Sequence, residues 1–279
     1  MSILTLRQGR SLDLSKAPHV MGILNTTPDS FSDGGCHNTF DSAVIKALQM
    51  LAEGASIIDI GGESTRPNAP EVALDEELKR TIPVIKALRM QSDCIISIDT
   101  SKAEVMKQAV AAGADIINDV RALQEPGALE MAAQLQVPVC LMHMQGAPRT
   151  MQNNPVYTDL ISEINCFFEE RIDACVKKGF LLENIILDPG FGFGKTLQHN
   201  YQLLKELGQF RLHGCEVLAG LSRKSMIGNL LSRDTEHRLA GSLAGALIAA
   251  QKGAKIIRVH DVAQTVDVLK VWQATEYGI

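Results

Sequence analysis

Gly54-Ala55-Ser56-Ile57-Ile58-Asp59 returns as Gly113-Ala114-Asp115-Ile116-Ile117-Asn118 and again as Gly253-Ala254-Lys255-Ile256-Ile257-Arg258. In each copy a helical run stops at Gly, an apolar pair enters a sheet, and a polar side chain follows at the same register. The same outline without Gly-Ala gives Ile95-Ile96-Ser97-Ile98-Asp99, Val139 to His143, Ile185 to Asp188 and Val217 to Ser222. With Val20 to Asn25, eight short strands are predicted.

Helical periodicity falls between them, over 41–53, 74–91, 102–112, 126–135, 157–178, 197–207, 224–251 with a break near 232–235, and 261–275. Near-continuous apolar strands alternating with amphipathic helices predict an α/β fold whose parallel sheet is buried on both faces. Eight such units suit an eight-fold β/α (TIM) barrel better than a doubly wound open sheet. Ile3–Leu6 and Leu12–Leu14 predict a short N-terminal hairpin that plugs or lids something. No Pro/Ser-rich linker divides the chain, so a single domain is expected over 1–279, with the hairpin in 1–17 and the barrel in 18–279.

A hydrophobic share of 46% is ample for a sizeable core, and a net charge of −5 provides no global field to recruit nucleic acid or an acidic membrane. Any anion must then be held locally. The six cysteines lack C-x-x-C spacing and no signal peptide pattern opens the chain, so reduced core thiols in a cytoplasmic protein are expected. Leu239–Ala250 is apolar but too short for a membrane span, which takes about 20 residues.

In a parallel barrel the active site forms at the C-terminal ends of the strands. Those ends supply Asn25, Asp59, Asp99, Asn118, His143, Asp188, the run Ser222-Arg223-Lys224-Ser225, and Arg258 with His260. One strand-end Asp is ordinarily a helix cap, and Asp59 and Asp99 both allow that reading. Eight polar strand ends on one rim point to a ligand site. Asp99, Asn118 and Asp188 suit a flat heterocycle with adjacent N–H donors. Arg258, His260 and Asn25 come from the last and first strands, which meet when a barrel closes, and suit a phosphate or pyrophosphate. Lys224 and Ser225 open a helix and suit another anion such as a carboxylate.

Three motifs weaken on inspection. Asp188-Pro-Gly-Phe-Gly-Phe-Gly-Lys195 has only three residues between Gly190 and Gly194, where a phosphate-binding P-loop needs four. His143 lacks a second histidine at metal-binding spacing. Lys224 has the position of a Schiff-base lysine, but its setting between Arg223 and Ser225 favours binding an anion or ring carbonyl.

The stretches 21–35 (MGILNTTPDSFSDGG), 61–67 (GGESTRP), 188–195 (DPGFGFGK), 222–225 (SRKS) and 258–262 (RVHDV) resemble the bacterial dihydropteroate synthases over about residues 18 to 272, in family order. Thr26 stands where that family leads one to expect Val. The resemblance implies a transferase of folate biosynthesis that joins 6-hydroxymethyl-7,8-dihydropterin pyrophosphate to 4-aminobenzoate, releasing pyrophosphate and 7,8-dihydropteroate. It further implies magnesium dependence, a homodimer and competition by sulfonamides. By the same resemblance, Asp99, Asn118, Asp188 and Lys224 would hold the pterin. Asn25, Thr65, Arg258 and His260 would hold pyrophosphate, with Asn25 on the metal, and Thr65, Arg66, Ser225 and Phe31 would hold aminobenzoate.

Pyrophosphate would leave from a methylene whose charge the pterin ring spreads, so a dissociative displacement needing no strong base is expected. Thr26–Gly35, with Asp29, Phe31 and Asp33, is expected to act as a lid. A pterin-binding methyltransferase acting on a corrinoid would share the Asp/Asn grip but has no use for Arg258, His260 and a helix-start anion site together. A non-catalytic pterin-binding module leaves the polar, Gly-rich opening loop unexplained, and a Lys224 aldolase would form a borohydride-trappable adduct.

Overall fold

The computed structural model describes residues 3–26, 36–64, 69–146, 151 and 155–278, the first four residues of the 36–64 segment by backbone alone. Two short strands, β1 (Ile3–Thr5) and β2 (Ser11–Asp13), pair antiparallel. The barrel strands follow: β3 (His19–Asn25), β4 (Ile57–Gly61), β5 (Ile95–Asp99), β6 (Ile116–Asp119), β7 (Val139–Met142), β8 (Ile185–Asp188), β9 (Glu216–Ala219) and β10 (Ile256–Val259). They pair in parallel in chain order, and β10 closes on β3, so the first and last barrel strands are neighbours as expected.

The helices are α1 (Cys36–Ala52), α2 (Leu74–Gln91), α3 (Ala103–Ala112), α4 (Ala128–Leu135), α5 (Leu160–Lys177), α6 (Leu197–Lys205), α7 (Ser225–Leu231), α8 (Leu239–Gln251) and α9 (Val262–Tyr277). α1 begins five residues before the expected start, because the polar His37, Asn38 and Thr39 hide its first turn from a reading based on apolar spacing. α5 begins later than expected, where Asp159 caps it by accepting the Ile161 and Ser162 N–H groups at 3.1 Å. The expected break in 224–251 spans 232–238, with Ser232 left-handed at φ 52° and a short 3-10 turn at Thr235–His237. β9 ends at Ala219, three residues short of the expected Ser222.

The two-residue alternation of each strand divides its side chains between two environments. Ile58, Ile60, Ile96, Ile98, Ile117, Leu141 and Leu187 pack outward into the helix layer. Met21, Ile57, Ile116, Cys140, Ile186, Leu218 and Ile256 meet inside, at the N-terminal end of the barrel, where Leu4, Leu6, Leu12 and Leu14 join them. The hairpin is therefore a plug, worth about 1.5–3 kcal/mol for each leucine taken from water. Asp115 accepts Arg89 Nη2 at 2.7 Å and also pairs with Arg10, tying the plug to the barrel wall.

Cys140, Cys175 and Cys215 are buried and unpaired, but Cys166 is exposed on α5, which corrects the expectation that every thiol is a core residue. Among the described residues no helix is long and apolar enough to cross a membrane.

Candidate active site

Alternation carries the inner face upward from the leucine plug. Two residues beyond Ile57, Ile116, Ile186 and Ile256 come Asp59, Asn118, Asp188 and Arg258, all therefore turned inward. Asp99 lies on the inner face of β5, opposite Gly61 on one side and Asn118 on the other. The polar residues that end the three Gly-Ala repeats converge on a single oxygen: Asp59 Oδ2 accepts Arg258 Nε at 2.6 Å and Asn118 Nδ2 at 3.1 Å. Arg258 Nη2 extends to Asp99 Oδ2 at 2.8 Å. Asp59 is fully buried, and its Oδ1 has no partner among the described residues.

Asp59 is thus no helix cap. It is the counterion of Arg258, a role that sequence reading missed although the shared register of 59, 118 and 258 signalled it. The pyrophosphate expectation places Arg258 with His260 and Asn25. Its guanidinium lies between two carboxylates, Nε on Asp59 and Nη2 on Asp99. The His260 N–H donates to Ser222 Oγ at 3.1 Å, and its Nδ1 lies 3.0 Å from the same oxygen. Asn25 ends β3 level with Gly61, half-buried. Beside it, the Thr26 hydroxyl donates to the Gly61 carbonyl at 3.1 Å, which accommodates Thr where Val was expected.

Asp188 Oδ1 accepts the Gly190 N–H at 2.8 Å. Lys224 donates its Nζ to the Phe191 carbonyl and lies 4.4 Å from the centroid of the Phe193 ring. Ser225 opens α7 and is exposed. Phe31, Thr65, Arg66 and Pro67, together with Asp29 and Asp33 of the expected lid, lie outside the described residues. A cavity of about 500 Å³ opens on the flank of the site, reaching Asp99, Thr100, Glu77 and Lys102. There Lys102 Nζ bridges Glu77, at 2.5 Å, and Glu63.

The charges oppose one another strongly. Burial raises Asp99 to about 7, working against the Arg258 charge that lowers it. Asp188 is raised by burial, partly offset by Lys224. Burial brings Lys224 down to about 8 while Asp188 pulls the other way. Arg258 stays cationic, because Asp59 and Asp99 outweigh its own desolvation. A heterocycle that donates N–H groups and gathers positive charge relieves both carboxylates, so the site is organised to favour such a guest.

The donor set also bears on magnesium. Asn25 supplies one hard amide oxygen, and among the described residues no group of three His, Cys, Asp or Glu side chains converges to form a cage. This fits a magnesium ion carried largely by substrate phosphates, which takes only one or two protein ligands.

The family model described as pterin binding enzyme matches residues 21–260. The chain is 59% identical to the dihydropteroate synthase of Haemophilus influenzae, over 95% of this chain and 96% of the relative. Among solved structures it is similar to a Yersinia pestis dihydropteroate synthase in a sulfonamide drug complex, with TM-score 0.93 and 56% identity over 98% of each chain. It is also similar to the Xanthomonas albilineans dihydropteroate synthase in complex with 7,8-dihydropteroate, with TM-score 0.90 and 50% identity over 99% of each chain.

Proposed function

The chain belongs to the dihydropteroate synthases of the pterin-binding enzyme family, and from that premise we propose how its own residues divide the reaction. Its activity is a transferase step of folate biosynthesis, the condensation of 6-hydroxymethyl-7,8-dihydropterin pyrophosphate with 4-aminobenzoate to give 7,8-dihydropteroate and pyrophosphate. The observation that carries the residue assignment is the inward convergence of Asp59, Asp99, Asn118, Asp188 and Arg258 above an apolar floor.

Asp188 grips the pterin through its 2-amino group and adjacent ring N–H, a matched pair of donors for one carboxylate. Asn118 and Asp99 bind the far edge of the ring, and Lys224 donates to a ring acceptor. As the bond from the methylene to pyrophosphate breaks, positive charge spreads into the ring between Asp99 and Asp188, whose burial makes them most responsive to it. The displacement is dissociative. Aminobenzoate attacks through an amine that is already unprotonated, so positioning replaces a strong base.

His260, Thr65 and Asn25 receive the departing pyrophosphate, with Arg258 beneath them supplying a cation already balanced by Asp59 and Asp99. Asn25 would hold a magnesium ion, which would supply neutralisation of the pyrophosphate charge. Thr65, Arg66, Ser225 and Phe31 frame aminobenzoate.

The partner reading extends to a second copy of the chain. α8 carries no charged residue between Leu239 and Gln251, and Leu230, Leu231, Leu239 and Ile248 are exposed on and beside it. A homodimer that covers this face accounts for that composition. The unpaired buried thiols support a reducing, cytoplasmic setting. Residues 1–279 work as one domain, the barrel over 18–279 closed by the hairpin of 1–17.

Dihydropteroate formation, assayed with and without magnesium and again with a sulfonamide, tests the reading. Stoichiometric pyrophosphate that depends on aminobenzoate is expected. Tight pterin binding without pyrophosphate would overturn it in favour of a non-catalytic module.

A further inference from the structure

Lys195 and His143 are both titratable, nearly fully buried, and outside the reaction as assigned. Lys195 Nζ lies 3.0 Å from His143 Nδ1 and donates to the Phe193 carbonyl at 3.1 Å. Burial brings Lys195 down to about 7 against the pull of Asp188, and in its ammonium form it donates to Nδ1 and leaves the proton of a neutral His143 on Nε2. Burial and the neighbouring Lys195 charge hold His143 at about 2, consistent with that state.

The turn beneath Lys224 is built with little slack. Gly190 and Gly194 have φ of +71° and +63°, and a Cβ would stand 1.9 Å from the His143 carbonyl oxygen at Gly190 and 2.5 Å from the Gln145 carbonyl oxygen at Gly194. The chain after β8 therefore lies flat against the chain after β7. Its upper surface is the seat of Lys224, formed by the Phe191 carbonyl and the Phe193 ring. Lys195 holds the same turn by donating to the Phe193 carbonyl.

We infer that Lys195 is a positioning residue for the reaction: clamped to His143, it fixes the Phe191–Phe193 turn that places Lys224 against the pterin. This rests on the reading of Lys224 as a pterin ligand. The Gly-rich motif that fails as a P-loop is then a rigid bracket whose terminal lysine acts inward on the protein.

A double-mutant cycle tests the inference. Pterin affinity and steady-state kinetics are measured for wild type, Lys195→Met, Lys224→Met and the double variant, with melting temperatures alongside. Lys195→Met is expected to weaken pterin binding about tenfold, and the double variant to bind no more weakly than Lys224→Met alone, because both changes remove one function. Losses that multiply, or Lys195→Met binding pterin at wild-type affinity with only a lower melting temperature, would overturn it. Lys224→Met binding pterin normally would instead refute the Lys224 assignment and the inference with it. Should Lys195→Met not fold, Lys195→Gln, which keeps an N–H for the Phe193 carbonyl, is expected to bind pterin close to wild-type affinity, and a loss of about tenfold or more in that folded variant would overturn the inference.

Discussion

Replacing Asp59 with Asn should destabilise the protein as well as impair it. The substitution keeps the volume of a fully buried side chain but removes the charge that faces Arg258 Nε at 2.6 Å. Breaking a buried ion pair from one side costs about 3–5 kcal/mol, and the low end applies because Asp99 still faces the guanidinium. At about 2.1 cal/mol/K of unfolding entropy per residue, over 279 residues, 3 kcal/mol lowers the melting temperature by about 5 °C. Calorimetry near neutral pH reads this directly.

Adding Arg258→Met to the same chain removes the stranded cation. It also removes the charge that lowers Asp99, so Asp99 takes up a proton and strands no anion. The double variant should recover most of the lost stability. An Asp59→Asn protein that melts within about 1 °C of wild type would refute the reasoning, as would a double variant whose loss equals the sum of the singles.

Other outcomes follow from the same geometry. Asp188→Ala should lose pterin binding, read by calorimetric titration, while leaving the fold intact; retained affinity would remove Asp188 from the pocket. Lys224, at about 8 in the folded chain against an ordinary 10.5, is protonated at neutral pH and loses its proton as pH rises through about 8. Pterin affinity should therefore fall above about pH 8, and Lys224→Met should flatten that limb. Because the unfolded chain holds this proton up to the higher value, the lysine's contribution to folding stability rises with pH between the two, opposite in sign to its contribution to binding. For Asp99, raised to about 7, the folded chain holds the extra proton, so its contribution to stability falls as pH climbs from the ordinary carboxylate range towards about 7. Asn25→Ala should raise the magnesium concentration needed for half-maximal turnover without changing pterin affinity in the absence of metal; an unchanged requirement would place the ion elsewhere.

Periodicity alone determined much of this molecule. The recurring Gly-Ala-x-Ile-Ile-x predicted parallel strands, and its invariant spacing put residues 59, 118 and 258 at one register, because strand side chains alternate with period two wherever the strand sits. The site rim was legible because apolar strands that end in Asp, Asn, Arg and His concentrate chemistry at one end of a barrel. What the repeat could not show is which of those side chains meet. That depends on the stagger of the strands at closure, which brings Arg258 onto Asp59 and Asp99 across 199 and 159 residues of chain. Local spacing therefore leaves Asp59 open to a cap reading and does not show that Arg258 has two carboxylate partners. Lys195 ends a motif too short for a P-loop, and local spacing gives it no role because its partner is His143 on the adjacent strand's loop. Local spacing set the face and level of each residue, while hydrogen bonds between strands distant in sequence set its charge and role, and only the closed barrel supplies those partners.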